Sequence, residues 1–242
     1  MIGKLLRSTF SYILVGLVVL FLGVPCFLLT LLPARWRYDN KVFFWLSHLF
    51  YVASLKTVMI PIEVVGKENI PNEPAIIVAN HQSSLDIPLI GSLLNRFPHV
   101  WLAKTELTRY WIGPIVSRMA VLIDMSSPQK ALRSLLQAIK IVRGKRRHAI
   151  VFPEGGRYIG GNDVHEFFAG FVMIAKRTNR PVVPIMIFDA YKVYPPGSFF
   201  IHRNPVKVVV GKPFFMQEGE EATAFKDRVY QWFTQQVESS EH

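Results

Sequence analysis

The run Asn80-His81-Gln82-Ser83-Ser84-Leu85-Asp86 holds the residues of this chain best suited to acid–base chemistry. It follows an apolar β-type stretch, Ala75 to Ala79, so it reads as a strand end, a short polar turn and a helix starting near Ser83 or Ser84. On one helix, a five-residue offset separates two side chains by about 140°. His81 and Asp86 therefore meet only if His81 stays in the turn and Asp86 enters the first helical turn. A histidine held by a carboxylate is a general base, because the carboxylate fixes the tautomer and stabilises the imidazolium that forms. A structural reading of the same residues stands beside it. Ser83-x-x-Asp86 has the form of a helix capping box with Asp in place of Glu. Ser83 as a nucleophile is a rival chemistry, though the chain lacks a G-x-S-x-G elbow. No second His or Cys lies at ligand spacing from His81, so no metal is expected there.

A second polar turn follows another buried-strand pattern, His148 to Phe152. It reads Pro153-Glu154-Gly155-Gly156-Arg157. Two glycines at a strand end let backbone N–H groups approach a ligand, and Arg157 is a fixed cation suited to phosphate or carboxylate. Glu154 would orient that arginine or a substrate hydroxyl. Taken alone, the turn is equally a Gly-rich loop with a solvated ion pair.

The elements that position these turns alternate. Strands are expected over 62–65, 75–79, 99–103, 120–123, 148–152, 182–187 and 206–210, with Pro184 placing its strand at an edge or end of the sheet. Helices are expected from about Ser84 to Asn95, over 128–142, over 167–176 and from Glu221 to about Val237. Ser127 is the N-cap of the second, with Pro128 at its first position. The pattern predicts an α/β fold, a mixed sheet flanked by helices. No internal repeat or low-complexity segment interrupts it.

Half of the 242 residues are apolar, formal net charge is +11 and mean hydropathy is +0.26. This combination points to anionic lipid head groups before nucleic acid. No recognition helix, aromatic single-strand platform or zinc spacing supports the latter. Cys26 is the single cysteine, so no intrachain disulfide forms. Phe10 to Leu32 is uncharged over 23 residues, long enough to span a bilayer. Cations flank both ends: Lys4 and Arg7 before, Arg35, Arg37 and Lys41 after, so charge does not vote for crossing. Gly23-Val24-Pro25 is expected to break the helix, and a second apolar stretch runs from Val42 to Ile60. We therefore expect an embedded anchor with both ends on one face, and divide the chain into an N-terminal membrane-anchoring helical motif (1–60) and a catalytic domain (61–242). The basic cluster Lys140 to Arg147 reads as a solvated helix end. Alternatively it contacts anionic lipid, coenzyme A phosphates or an acidic acyl carrier protein. His48, His99, His148, His202 and His242 carry no motif, and His165 lies near the second turn.

Taken together and in order, the two turns resemble the glycerolipid acyltransferase family of the 1-acyl-glycerol-3-phosphate (lysophosphatidic acid) acyltransferase type. That family is marked by N-H-x4-D, F-P-E-G-T-R-S and a V-P-[VI] strand. Here these read Asn80-His81…Asp86, Phe152 to Tyr158 and Val183-Pro184-Ile185, with weaker echoes at 65–71 and at Ala103-Lys104-Thr105-Glu106-Leu107. The resemblance covers roughly residues 60–215. It implies a membrane-bound O-acyltransferase: His81, oriented by Asp86, deprotonates an acceptor hydroxyl. The alkoxide attacks an acyl thioester, and backbone N–H groups near the motif hold the oxyanion. It implies substrate-binding roles for Asn80, Lys104, Glu154, Gly155, Gly156 and Arg157. No cofactor is expected beyond acyl-CoA or acyl carrier protein as co-substrate. The partners are a lipid bilayer and a lysophospholipid, and the active site faces the cytoplasm of an inner membrane if the source is bacterial. Three departures bear on the acceptor. Gly156 stands for the family's Thr. The Arg of an I-D-R run is Met125, after Ile123-Asp124. The Lys of F-K-x-G is Phe168 in Phe167-Phe168-Ala169-Gly170. Acyl transfer to another lysolipid, such as a lyso-ornithine lipid, or non-catalytic lipid binding are the alternatives.

Overall fold

The computed structural model describes residues 2–33, 36, 39–110, 113–195 and 197–240. Its strands are β1 (Ile62–Val65), β2 (Ile76–Ala79), β3 (His99–Lys104), β4 (Ala120–Ile123), β5 (His148–Val151), β6 (Val182–Phe188) and β7 (Val206–Val210). They form one sheet in the order β1-β7-β6-β2-β5-β3-β4. All neighbours are parallel except β6 and β7, so the sheet is mixed, as the sequence pattern predicts. The helices are α1 (Ile2–Val18), α2 (Val24–Leu29), α3 (Lys41–Val58), α4 (Asp86–Leu93), α5 (Gly113–Met119), α6 (Pro128–Val142), α7 (Gly170–Thr178), α8 (Ala190–Val193) and α9 (Ala222–Ser240).

The continuous apolar runs of β2 and β6 have the physical reason usual for central parallel strands: both faces are covered. On one face, α6, α7 and α9 bury Leu135, Ile139, Phe171, Ile174, Phe225 and Phe233. On the other, α3, α4 and α8 bury Val58, Leu89, Ile90, Ala190 and Val193. Ser127 caps α6 by accepting the Lys130 N–H at 3.3 Å, with Pro128 in the first turn. Two catalytic-domain helices start later than expected, α4 at Asp86 and α7 at Gly170.

Pro184 does not mark an edge. It sits inside β6, between β2 and β7, in register with Val78. The strand tolerates it because its missing N–H falls beyond the β7 ladder, which starts at Ile185↔Val210. There the Pro184 carbonyl accepts the Gly211 N–H at 2.9 Å. A side chain on Gly211 would meet Trp232 at 2.6 Å and Pro184 at 2.7 Å, so the chain passes there only as glycine.

The N-terminal 29 residues also differ from expectation. Gly23-Val24-Pro25 does not break the helix. A π turn over Val19–Gly23 joins α1 to α2, and the Val24 N–H reaches back to the Val19 carbonyl. The wider turn takes up the proline, whose ring and missing N–H a regular α turn would not accommodate. The resulting helix, Ile2–Leu29, is long and apolar enough to cross a membrane, and nearly all of it is on the surface. Arg35, Arg37 and His242 lie outside the described residues.

The α1–α2 helix packs antiparallel on α3 as a hairpin, with Cys26 near Ser47 and Gly23 near Phe50. α3 in turn packs on α4, where the Tyr51 ring lies against Gly91 and its hydroxyl accepts the Trp101 indole N–H at 3.2 Å. A Cβ at Gly91 would sit 2.3 Å from that ring. Gly91→Ala should therefore force α3 off α4. We expect a loss of about 1–3 kcal/mol, the usual cost of overpacking. It would read as a lowered melting temperature in detergent and faster proteolysis between 30 and 40.

Candidate active site

Both polar turns leave the C-terminal ends of neighbouring parallel strands, β2 and β5. The chain after β2 enters α4 on one face of the sheet, and the chain after β5 enters α7 on the other. Connections that diverge in this way open a crevice at the strand ends, where α/β sheets bind ligands.

His81 stays in the turn and Asp86 opens α4, the one arrangement that lets a five-residue offset close. His81 Nδ1 and Asp86 Oδ2 are 2.7 Å apart. The same oxygen accepts the backbone N–H of Gln82 at 2.6 Å and of Ser83 at 2.8 Å. The general-base pairing and one half of the capping box, the carboxylate on the Ser83 N–H, thus meet on a single atom, while the Asp86 N–H goes to the Ser83 carbonyl instead of its hydroxyl. Asp86 is fully buried, while the His81 side chain keeps 15% of its surface exposed. An oxygen already receiving two N–H bonds is an acceptor toward His81 as well. The network therefore assigns the proton to Nδ1 and leaves Nε2 free as the basic nitrogen. Phe152 stacks on the imidazole at 4.1 Å and 13°, and Trp101 stacks on Phe152 at 5.8 Å. These rings hold the histidine plane, a role that no motif in the sequence marks.

Glu154 does something other than expected. It is buried, and its two oxygens accept the backbone N–H groups of His81 at 3.0 Å and His165 at 3.3 Å. It fixes the histidine's main chain and does not orient Arg157. Burial pushes its carboxyl up to about 7, against the two N–H bonds, which pull it down. Asn80 is likewise structural. Its amide oxygen takes the Ile187 N–H at 2.8 Å and its NH2 gives to the Ile187 carbonyl at 2.9 Å, tying the turn to β6 rather than to a substrate. Gln82 extends the tie, donating to Gly161 and to Asn162 Oδ1, which also takes the Asp189 N–H.

Gly155 has φ +67°, and a Cβ there would lie 2.7 Å from Phe168 and 3.3 Å from the Lys104 side chain. Only glycine fits, and Lys104, at the end of β3, runs alongside the turn. Gly156 has no such constraint, since a Cβ would make ordinary contact with Tyr158. Arg157 is exposed and forms no ion pair among the described residues. His165 stacks on Tyr158 at 3.6 Å, while the Tyr158 N–H donates to the His81 carbonyl at 2.9 Å. His148 accepts the Ala75 N–H through Nδ1 at 3.0 Å. Burial pulls it down to about 4 and His99 to about 3, so both are neutral. Ser83 is buried and its Oγ accepts the Leu85 N–H, while His81 Nδ1 is engaged by Asp86, which leaves no base for a serine nucleophile. The Gln82 and Ser83 amides, engaged by Asp86, are not oxyanion donors. Those of Gly156 and Arg157 have no acceptor among the described residues.

Beside the turn opens an apolar cavity of about 360 Å³, walled by Lys104, Ile123, Ala131, Leu135, Phe152 and Met173 among others. This is on the scale of small-molecule sites, about 300–1,000 Å³. It touches Phe152, which stacks on His81.

A protein-family model described as Acyltransferase matches residues 61–188. The 1-acyl-sn-glycerol-3-phosphate acyltransferase of Limnanthes alba is 28% identical over 213 residues, 86% of this chain and 74% of that protein. That of Pseudomonas aeruginosa is 26% identical over 216 residues, covering 89% and 82%. The Cocos nucifera enzyme is 32% identical over 166 residues, and the match spans about half of it, 52%. The crystal structure of the 1-acyl-sn-glycerophosphate (LPA) acyltransferase PlsC from Thermotoga maritima superposes with a TM-score of 0.77 at 26% identity, covering 99% of this chain and 97% of that one.

Glu154 gives a pH signature. Its carboxyl binds its proton more tightly in the folded chain, so its contribution is full below the unfolded value of 4.5 and is lost as pH rises through about 7. Glu154→Gln removes that term, and the amide cannot accept both N–H bonds. Melting curves across this range should show the variant less stable throughout. Its stability relative to wild type should improve as pH rises from 4.5 to 7. A constant gap across the range would refute the assignment.

Proposed function

Because the chain belongs to the acyltransferase family, we propose that it transfers a fatty acyl group from a thioester donor to the sn-2 hydroxyl of 1-acyl-glycerol-3-phosphate, giving phosphatidic acid. The observation that carries this reading is the His81–Asp86 pair beside an apolar cavity. His81 Nε2 takes the proton from the sn-2 hydroxyl. The alkoxide attacks the thioester carbonyl, and the amides of Gly156 and Arg157 are the donors available to the oxyanion. As the tetrahedral intermediate collapses, the C–S bond breaks and the imidazolium returns its proton to the thiolate. No acyl-enzyme is needed, since the acceptor itself is the nucleophile. The cavity takes the donor's acyl chain, and its wall of Ala131, Leu135 and Met173 bounds the chain's depth.

Lys104 and Arg157 are the cations that flank the turn and serve the acceptor phosphate. The family's two further cations are replaced here by Met125 and Phe168. This observation favours a second reading, in which the same chemistry serves a lysolipid without a terminal phosphate.

The N-terminal hairpin serves as a membrane-embedded anchor. Near its start, Ser8 accepts the Ile201 N–H at 3.0 Å and Tyr12 donates to the Phe199 carbonyl. At its turn, Asp39 pairs with Arg147 and Lys145. A helix crossing a bilayer would carry one end about 30 Å from the domain, whereas both ends here are bonded to it. The exposed side of the hairpin is apolar, with Leu6, Phe10, Ile13, Leu20, Phe21 and Leu28 outward.

The test is acyl transfer by the purified protein in detergent, with acyl-CoA and acyl carrier protein donors against a panel of lysolipids, read by mass spectrometry. His81→Ala should cost at least about 10²-fold in turnover while folding and membrane binding persist. Full activity in this variant would overturn the mechanism. Arg157→Ala should raise the acceptor KM about 10-fold or more with little change in kcat, the worth of one charged hydrogen bond. An unchanged KM would remove Arg157 from head-group binding.

A further inference from the structure

Resting on that reading of the reaction, we propose that the exposed face of α6 is the docking surface for an acidic acyl carrier protein as acyl donor. From Met125 to Arg147 the chain has seven Lys or Arg residues and no Asp or Glu (Lys130, Arg133, Lys140, Arg143, Lys145, Arg146 and Arg147). The structure divides them. Arg147 is buried against Asp39, and Lys145 pairs with the same carboxylate. The end of α6 is closed by Arg180, which donates to the carbonyls of Val142, Lys145 and Arg147. Arg146 lies over the Phe97 ring. Lys130 stands 3.9 Å from Asp124. Arg133, Lys140 and Arg143 are exposed and form no ion pair among the described residues. Spacings of seven and three put them along one side of the helix. Between Arg133 and Lys140 along the helix lies Leu136, an exposed leucine. β4 and α7, which pack against α6, carry no acid. A cationic strip with a small apolar centre is the complement of an acidic helix with an apolar stripe.

Two further observations choose this occupant over a lipid surface. α6 lies on the sheet face opposite α3 and α4, and among the described residues the hairpin that carries the large exposed apolar surface reaches only the segment after the C-terminal end of α6, through Asp39. The inner side of α6 also walls the acyl cavity through Ala131 and Leu135, with the exposed Leu132 at its edge. A carrier seated on the outer side stands next to the cavity that its acyl chain must enter. α6 is about 22 Å long at 1.5 Å per residue, so the whole strip lies within that distance of the cavity that the helix walls.

The test uses the full chain in detergent and the double variant Arg133→Glu/Lys140→Glu. Neither residue lines the cavity or touches the catalytic pair. With acyl carrier protein as donor, the variant should show KM raised about ten-fold or more and kcat unchanged. With acyl-CoA as donor, both constants should hold within about two-fold. Binding of fluorescent holo acyl carrier protein to wild type, by anisotropy, should weaken with salt and be lost in the variant. Flotation with vesicles of phosphatidylglycerol and phosphatidylcholine should be the same for both proteins. Unchanged carrier KM and binding would overturn the proposal. Equal losses with both donors would overturn it in favour of a site for coenzyme A phosphates. Loss of flotation with carrier kinetics intact would overturn it in favour of a bilayer contact. If wild type transfers no acyl group to any acceptor, the proposed reaction fails, and the anisotropy arm still decides the docking surface.

Discussion

Everything in the catalytic region hangs on one buried oxygen. Asp86 Oδ2 receives three hydrogen bonds, from the His81 imidazole and from the Gln82 and Ser83 amides. A carboxylate removed from water is costly unless its charge is met by donors; these three meet it on Oδ2, while Oδ1 is buried without a partner among the described residues. The two amides belong to the turn that leads into α4, so the fold of that turn supplies the bonds that hold the carboxylate. The carboxylate then fixes which nitrogen of His81 carries the proton. Local folding and base orientation are one interaction seen from two ends.

The rest of the sheet serves this contact. β2 and β5 sit side by side, so their two turns meet, and Glu154 on the second turn grips the main chain of His81 on the first. Asn80 and Gln82 anchor the same turn to β6 and to the loop at 161–162. Phe152 leaves β5 with its ring on the imidazole and its other neighbours around the cavity. The base is therefore held from its ring, its ring nitrogen and its backbone, by groups from the turn after β5 and the start of α4. Such fixation lowers the reorganisation needed at the moment of proton transfer.

The strands and the two turns were legible in the sequence, because apolar runs bounded by polar turns carry a strong local signal. The cap of α6 by Ser127 was legible for the same local reason. What escaped was set by contacts between distant segments. Asn80 and Glu154 look like substrate ligands until Ile187 and the His165 amide are seen to occupy them. Pro184 reads as an edge residue until its empty N–H side is found beyond the last rung of β7. Gly23-Val24-Pro25 reads as a helix break, and a π turn absorbs it. The stacking role of Phe152 has no signature, since an aromatic residue at a strand end is common core composition.

The most direct test of the central claim is the tautomer of His81, read by ¹⁵N NMR of histidine-labelled protein at neutral pH, with His81→Gln used to assign its signals among the seven histidines. The account predicts that the neutral form of the ring carries its proton on Nδ1. A neutral ring with its proton on Nε2 would contradict it, because Asp86 would then not be orienting a base.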